Sequence, residues 1–159
     1  MKKPVFTGAA VAIITPMHAD GRVNYEELGR IIEDQIARHT DAIVICGTTG
    51  ESPTLDHDEH TECIRYTVQK AAGRVPVIAG TGSNDTRYAI QLSQQAQQDG
   101  ADALLLVTPY YNKSSQAGLV AHYTAIAQAV DLPCILYNVP SRTGCNLQPA
   151  TLAQLAKLP

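Results

Sequence analysis

The 159-residue sequence has no tryptophan, a single phenylalanine and no apolar run long enough to cross a lipid bilayer. Its 12 basic residues stand against 15 acidic ones, a formal net charge of −3, so the basic surplus typical of nucleic-acid-binding proteins is missing. We therefore expect neither nucleic acid nor a membrane as a partner. Small molecules remain the natural ligands.

Cysteine is present, but without a pattern. The four cysteines show no paired spacing of the kind that metal sites use, and two of them lie inside apolar runs. Buried, reduced thiols of a cytoplasmic protein explain them, and the sequence predicts no metal and no cofactor. The residues concerned are Cys46, Cys63, Cys134 and Cys145.

Short apolar runs recur roughly every 30 residues, the length of a strand–helix unit. Within them apolar and polar residues do not alternate, which indicates parallel strands buried on both faces. Lys2 and Lys3 precede the first run as in a signal peptide, but no small-residue cleavage site follows, so we interpret the run as a strand. The runs are Ala9–Ile14, Ala42–Cys46, Val75–Ala79, Ala103–Val107 and Cys134–Val139.

Helical patterns separate these runs, and residues 1–159 are predicted to form one domain of five strand–helix units. A last helix should begin at Pro149 and end near Lys157. Two α/β architectures fit: a doubly wound open sheet, or the first five units of a (β/α)8 barrel. No dinucleotide-binding glycine fingerprint follows the first strand. The clearest helical stripe comprises Leu119, Val120, Tyr123, Ile126, Ala127 and Val130.

Polar residues follow the second strand in the segment Gly47–Glu51. Its two glycines should let the backbone turn sharply, so that Thr48 and Thr49 could bind a carboxylate or phosphate. An ordinary glycine-rich turn fits the segment equally well.

Phenols and a guanidinium follow the fourth and fifth strands. Tyr137 ends the fifth run, where its hydroxyl could transfer protons or its ring could simply pack under a loop. Arg142 is predicted in a loop turned by Pro140 and Gly144, and its fork suits a carboxylate if it is more than a solvated arginine.

The segment Asp56–His60 looks like a metal site because it holds two histidines three residues apart. Asp56 and Glu59 also read as a helix N-cap and its capping-box partner, which would leave His57 and His60 exposed on the first turn. We favour the cap, since a metal usually draws ligands from several segments.

Four segments together resemble the dihydrodipicolinate synthase family of pyruvate-dependent Schiff-base lyases and aldolases: GTTGESPTL, VIAGTGSN, VTPYYNKSSQAGL and ILYNVPSRTG. The resemblance covers essentially the whole chain. It implies a (β/α)8 TIM barrel, of which this chain has the first five units, assembled as a homotetramer. It also implies a lyase of lysine and diaminopimelate biosynthesis that condenses pyruvate with aspartate 4-semialdehyde through a lysine imine.

The resemblance also implies roles for individual residues. Thr48 and Thr49 would hold the carboxylate of pyruvate, and Thr49 would join a proton relay. Tyr137 would be the general acid–base group. Tyr111 would complete the relay by reaching into the neighbouring subunit's site, and Arg142 would bind the carboxylate of the aldehyde.

In this family the imine lysine ends the sixth strand, beyond Pro159, and none of the five lysines present matches it. We therefore expect the 159 residues alone to be inactive. N-acetylneuraminate lyase or a sugar-acid aldolase is the alternative within the superfamily, although these generally lack a counterpart of Arg142. A non-catalytic truncated product that assembles or binds pyruvate-like anions is the alternative outside it.

An incomplete barrel leaves strand edges and an inward face uncovered, which predicts pairing with a second copy. We expect that face to carry Val11, Ile13, Val44 and Leu105, or their neighbours. The family resemblance further suggests a site for the feedback inhibitor lysine, although Tyr88 stands where inhibited members usually carry a glutamate. The residues that match this site are Ser52, His57, His60, Asn84 and Tyr110.

Overall fold

A computed structural model describes residues 4–158. It contains five parallel strands, and each pairs with the next one along the chain. The predicted strands are all present, with ends that differ by at most two residues. They are β1 (Ala10–Ala12), β2 (Ala42–Ile45), β3 (Val77–Gly80), β4 (Ala103–Val107) and β5 (Cys134–Tyr137).

The strand order decides between the two architectures. A doubly wound sheet reverses its order at a switch point, whereas the sheet here runs β1-β2-β3-β4-β5 without reversal. Sequential parallel strands alternating with helices form a curled half-barrel. The barrel prediction is therefore confirmed, and the doubly wound alternative is wrong.

Each of the four longer helices begins at a side chain that accepts a hydrogen bond from the first turn: Asn24, Asp56, Asp85 and Ser115. Pro149 opens the last helix, as predicted. No helix within residues 4–158 has the length and apolarity needed to span a membrane. The helices are α1 (Tyr25–Ala37), α2 (His57–Ala71), α3 (Thr86–Gln98), α4 (Gln116–Ala127), α5 (Pro140–Thr143) and α6 (Pro149–Leu155), with a 3-10 turn at Ser52–Thr54.

The strands carry apolar side chains on both faces. The face toward the helices is the main core, and the inward face forms a smaller cluster that includes Val44 and Leu105 and packs against Phe6. Val11 and Ile13 were expected on the inward face, and this is wrong: both pack on the helix side. The cause is the two-residue period of a strand, which aligns Val11 with Ile43 and leaves alanines facing inward.

Gly80 ends β3 and packs against the backbone that directly follows β2. A Cβ atom on Gly80 would stand 2.1 Å from the carbonyl oxygen of Cys46, a backbone atom that cannot rotate away. We expect Gly80→Ala to lower the free energy of unfolding by about 1–3 kcal/mol, measured by urea denaturation. Gly47→Ala is the control, because its nearest neighbour would be an ordinary 3.6 Å away. Equal midpoints for the two variants would contradict this reading.

Candidate functional site

Because all five strands are parallel, their carboxyl ends share one edge of the half-barrel, here called the carboxyl edge. Thr48 and Thr49 follow β2 there, Tyr110 and Tyr111 follow β4, and Tyr137 ends β5. This is the edge at which barrel enzymes hold their catalytic groups.

The segment after β2 is a pair of consecutive tight turns. The amide of Gly50 donates to the carbonyl of Gly47 (3.1 Å), and that of Glu51 donates to the carbonyl of Thr48 (3.1 Å). Both glycines take part in these turns, and the left-handed backbone lies beside them, at Cys46 (φ 54°) and Glu51 (φ 55°). Left-handed backbone in other residues costs free energy and is found at functional sites.

Thr15, at the end of the first predicted strand, anchors this turn and escaped the sequence analysis. Its buried hydroxyl donates to the carbonyl of Gly50 at 2.8 Å. A Cβ atom on Gly50 would stand 3.2 Å from that hydroxyl, so the glycine serves close approach. Thr48 and Thr49 are exposed, and within residues 4–158 their hydroxyls have no hydrogen-bond partner. The turn is fixed while its hydroxyls are available to a ligand.

Tyr137 is held by its backbone and free at its phenol. It pairs with Val107 of β4, and the amide of Thr108 donates to its carbonyl at 3.1 Å. The side chain is half-buried, and no group within the described residues hydrogen-bonds its hydroxyl. A phenol so placed can give and take a proton at a ligand.

Arg142 lies in a one-turn helix, α5, where a loop was expected. Gly144 ends the helix in the left-handed conformation (φ 66°) and its amide donates to the carbonyl of Pro140 at 2.9 Å, so the predicted turn residues bound a helix. The side chain of Arg142 is exposed, and its guanidinium makes no ion pair within residues 4–158. It is available to an anion.

Tyr111 stands apart from these groups. It is 91% exposed, and its backbone is left-handed (φ 67°), as is that of Lys113 nearby (φ 51°). The structure therefore brings the two threonines, Tyr137 and Arg142 to one edge but leaves the Tyr111 ring in solvent, where it could contact another molecule.

The lysines that the structure describes lie outside the turn that carries the two threonines. Lys70, in the last turn of α2, pairs with Glu33 at 3.4 Å, and Lys157 follows α6. Lys113 lies in the loop after β4 beside Gly144. Lys2 and Lys3 fall outside the described residues.

The capping box at Asp56 and Glu59 is confirmed, since each side chain bonds the other's backbone amide. The expected exposure of His60 is wrong: it is 4% exposed, and its Nε2 donates to the carbonyl of Gly80 at 2.8 Å. Burial lowers the pKa of His60, which favours the neutral ring. Residues 4–158 contain no group of three His, Cys, Asp or Glu side chains that could hold a metal ion.

The residues matched to an inhibitor site are only partly together. His57 lies against Tyr88, with ring centroids 5.9 Å apart. Burial is the main cause that raises the pKa of Tyr88, and the nearby Tyr110 phenol is the second. The backbone carbonyl of Asn84 accepts a hydrogen bond from Asn112 at 3.3 Å, and Ser52 opens the 3-10 turn. His60 faces Gly80 instead.

Three cysteines, Cys46, Cys63 and Cys145, are free thiols, as predicted. Cys46, Cys63 and Cys145 are buried, and Cys134 is half-buried. Hydrogen bonding with Cys63 and burial raise the pKa of Cys46 well above its usual value, so this thiol beneath the β2 turn is neutral and is no nucleophile.

Comparison with known proteins agrees with the half-barrel fold. A model of the Dihydrodipicolinate synthetase family matches residues 5–159. A curated 4-hydroxy-tetrahydrodipicolinate synthase of Lachnoclostridium phytofermentans is 63% identical over 95% of this chain and 51% of its own length.

Two solved structures are similar over nearly the whole chain. The chloride-inhibited dihydrodipicolinate synthase of Acinetobacter baumannii, complexed with pyruvate, has a TM-score of 0.94 and 53% identity over 96% of this chain and 52% of its own. The enzyme of Cyanidioschyzon merolae with lysine bound has a TM-score of 0.95 and 41% identity over 98% and 53%. The chain thus spans about half the length of the relatives it matches.

Proposed function

Because the chain belongs to the dihydrodipicolinate synthetase family, we propose that residues 1–159 are the first five strand–helix units of a (β/α)8 barrel domain that condenses pyruvate with aspartate 4-semialdehyde. The reaction is the lyase-type step of a 4-hydroxy-tetrahydrodipicolinate synthase in lysine and diaminopimelate biosynthesis. The observation that carries the proposal is at the carboxyl edge, where two threonine hydroxyls, a phenol and a guanidinium lie without a hydrogen-bond or ion-pair partner among residues 4–158. A relative that superposes on this half-barrel binds pyruvate.

In the proposed mechanism, a lysine outside residues 1–159 adds to the keto carbon of pyruvate, and water leaves as the imine forms. Loss of a methyl proton gives an enamine, whose carbon attacks the aldehyde, and the resulting alkoxide takes a proton. Thr48 and Thr49 hold the pyruvate carboxylate, and Tyr137 moves protons during imine formation and cyclisation through Thr49 and Tyr111. Phenol and hydroxyl groups suit this relay because they add no fixed charge beside the forming iminium.

Arg142 receives the carboxylate of the aldehyde substrate. The side chain is exposed, and Arg142 lies five residues beyond Tyr137, in a helix that Asn138 and Val139 separate from β5. A planar fork binds a carboxylate through two hydrogen bonds, which favours this substrate over the sugar aldehydes of the N-acetylneuraminate lyases.

We also propose that the complete protein is a homo-oligomer, a tetramer as in the family pattern, and that it works in the cytoplasm. The exposed Tyr111 supports assembly, since a ring 91% exposed at a strained position can reach a neighbouring subunit. Three buried free thiols fit a reducing compartment.

Borohydride trapping with pyruvate tests the proposal. The complete polypeptide that carries this segment should gain a reduced pyruvate adduct on one lysine outside residues 1–159 and should turn over aspartate semialdehyde. The 159 residues alone should gain no adduct and show no condensation. An adduct on Lys113 or Lys157 would contradict the assignment. Turnover of an amino-sugar aldehyde alone would favour the N-acetylneuraminate lyase alternative. No adduct on either polypeptide would favour a protein that only binds or assembles.

A further inference from the structure

Thr143 follows Arg142 directly and is 5% exposed. Its hydroxyl accepts hydrogen bonds from the amide of Cys145 (3.2 Å) and the hydroxyl of Thr108 (3.1 Å). The same hydroxyl can donate its one proton to the carbonyl of Cys145 (2.9 Å) or to that of Val139 (3.2 Å). One buried hydroxyl therefore joins both ends of the segment that carries Arg142.

Thr108 extends this link to the neighbouring strand. It is fully buried directly after β4, and its amide donates to the carbonyl of Tyr137 while its hydroxyl donates to Thr143. The ends of β4 and β5 are thus joined by a backbone bond at Tyr137 and a side-chain bond at Thr143. Both bonds lie beneath the carboxyl edge.

Arg142 has the opposite character. Its side chain is exposed and makes no ion pair within the described residues. The position of the guanidinium therefore depends on the position of the Arg142 backbone. That backbone is held by two bonds to the carbonyl of Val139, from the amides of Arg142 (2.9 Å) and Thr143 (3.1 Å), and by the Thr143 hydroxyl.

We propose that Thr143 is a positioning residue for the aldehyde substrate, acting through Arg142, with Thr108 as its buried support. The inference rests on the proposed function, in which Arg142 binds the carboxylate of that substrate. A hydroxyl that accepts two bonds and donates one holds α5 in register with β4, so that the guanidinium meets the carboxylate without a rearrangement of α5. Pyruvate, held at the β2 turn, does not depend on this contact.

The test uses the complete polypeptide and the variant Thr143→Val, which keeps the shape and removes the hydroxyl. We expect the KM for aspartate semialdehyde to rise about ten-fold, because a displaced Arg142 guanidinium loses most of the free energy of a hydrogen bond to the substrate carboxylate. The KM for pyruvate and the rate of imine trapping should stay within about two-fold. Thr143→Ser, which restores the hydroxyl, should restore the semialdehyde KM.

Thr67→Val is the matched control. It removes a fully buried threonine hydroxyl that bonds the carbonyl of Cys63 within α2, so it tests loss of stability without a change at the carboxyl edge. An unchanged semialdehyde KM in folded Thr143→Val, an equal rise for both substrates, or an equal effect of Thr67→Val would overturn the proposal. If Thr143→Val does not fold, Thr108→Val must raise the same KM, and no rise there overturns it.

If the wild type fails to condense the two substrates, the proposed function fails first, and amide hydrogen exchange still decides the role of Thr143. Loss of its hydroxyl should then speed exchange at residues 139–147 alone, in wild type against Thr143→Val. Unchanged exchange across that segment would overturn the positioning role.

Discussion

Replacing Tyr137 with phenylalanine in the complete polypeptide is expected to lower kcat by about two to four orders of magnitude, the usual contribution of a general acid–base group. The fold should survive. The backbone of Tyr137 is held by its pairing with Val107 and by the amide of Thr108, and its hydroxyl bonds no group within residues 4–158. Because phenylalanine keeps the ring and those backbone bonds, the loss should fall on proton transfer.

Steady-state turnover and the rate of pyruvate trapping measure this effect. Both should fall, since imine formation and cyclisation each need a proton moved, whereas the melting temperature should be nearly unchanged. Tyr66→Phe is the control, because it removes a phenol from α2, where the ring packs on Tyr25 at 5.3 Å. A Tyr137→Phe variant with normal kcat would make Tyr137 a packing residue only.

The strands were predictable because burial on both faces leaves a plain signal: an apolar run without alternation. Ala103–Val107 was found with its observed bounds, and the first and fifth strands proved shorter than their apolar runs. The order of the strands was beyond such reasoning, since periodicity describes each strand alone and says nothing of its neighbour. Only the parallel pairing of consecutive strands separates a half-barrel from a doubly wound sheet.

The errors at the carboxyl edge have local causes. The β2 turn contains both predicted glycines, but its residues with left-handed backbone are Cys46 and Glu51, which no sequence pattern marks. His60 was expected in solvent because its segment is polar. It is buried, and its partner is the carbonyl of Gly80, which lies 20 residues away and gives no local sequence signal.

Thr15, Thr108 and Thr143 carry the least sequence signal of the residues that shape the site. A lone threonine is ordinary in any sequence, and the bonds that matter join Thr15 to Gly50 and Thr108 to Thr143, both 35 residues apart. Position alone gave a hint, since Thr15 and Thr108 each directly follow a predicted strand at the edge where polar groups gather.

Arg142→Ala should raise the KM for aspartate semialdehyde by about one to two powers of ten, because a lost hydrogen bond between charged groups costs about 1.5–3 kcal/mol. The KM for pyruvate should change little, since the proposed pyruvate groups follow β2 and Arg142 follows β5. Stability should also hold, because the arginine side chain is exposed and the segment is fixed by backbone bonds and by Thr143.

The role of Arg142 is decided by comparing the change in the KM for aspartate semialdehyde with the change in the KM for pyruvate. Arg142→Lys keeps the positive charge but loses the planar fork, so its semialdehyde KM should fall between those of the wild type and the alanine variant. Arg38→Ala, which removes an exposed arginine paired with Asp34 on α1, should leave both KM values unchanged. If Arg142→Ala raises the two KM values equally, the guanidinium holds the edge as a whole and selects neither substrate. An Arg142→Lys variant as active as the wild type would mean that positive charge alone suffices. The two hydrogen bonds of the planar guanidinium, which favour an aldehyde that carries a carboxylate, would then not be used.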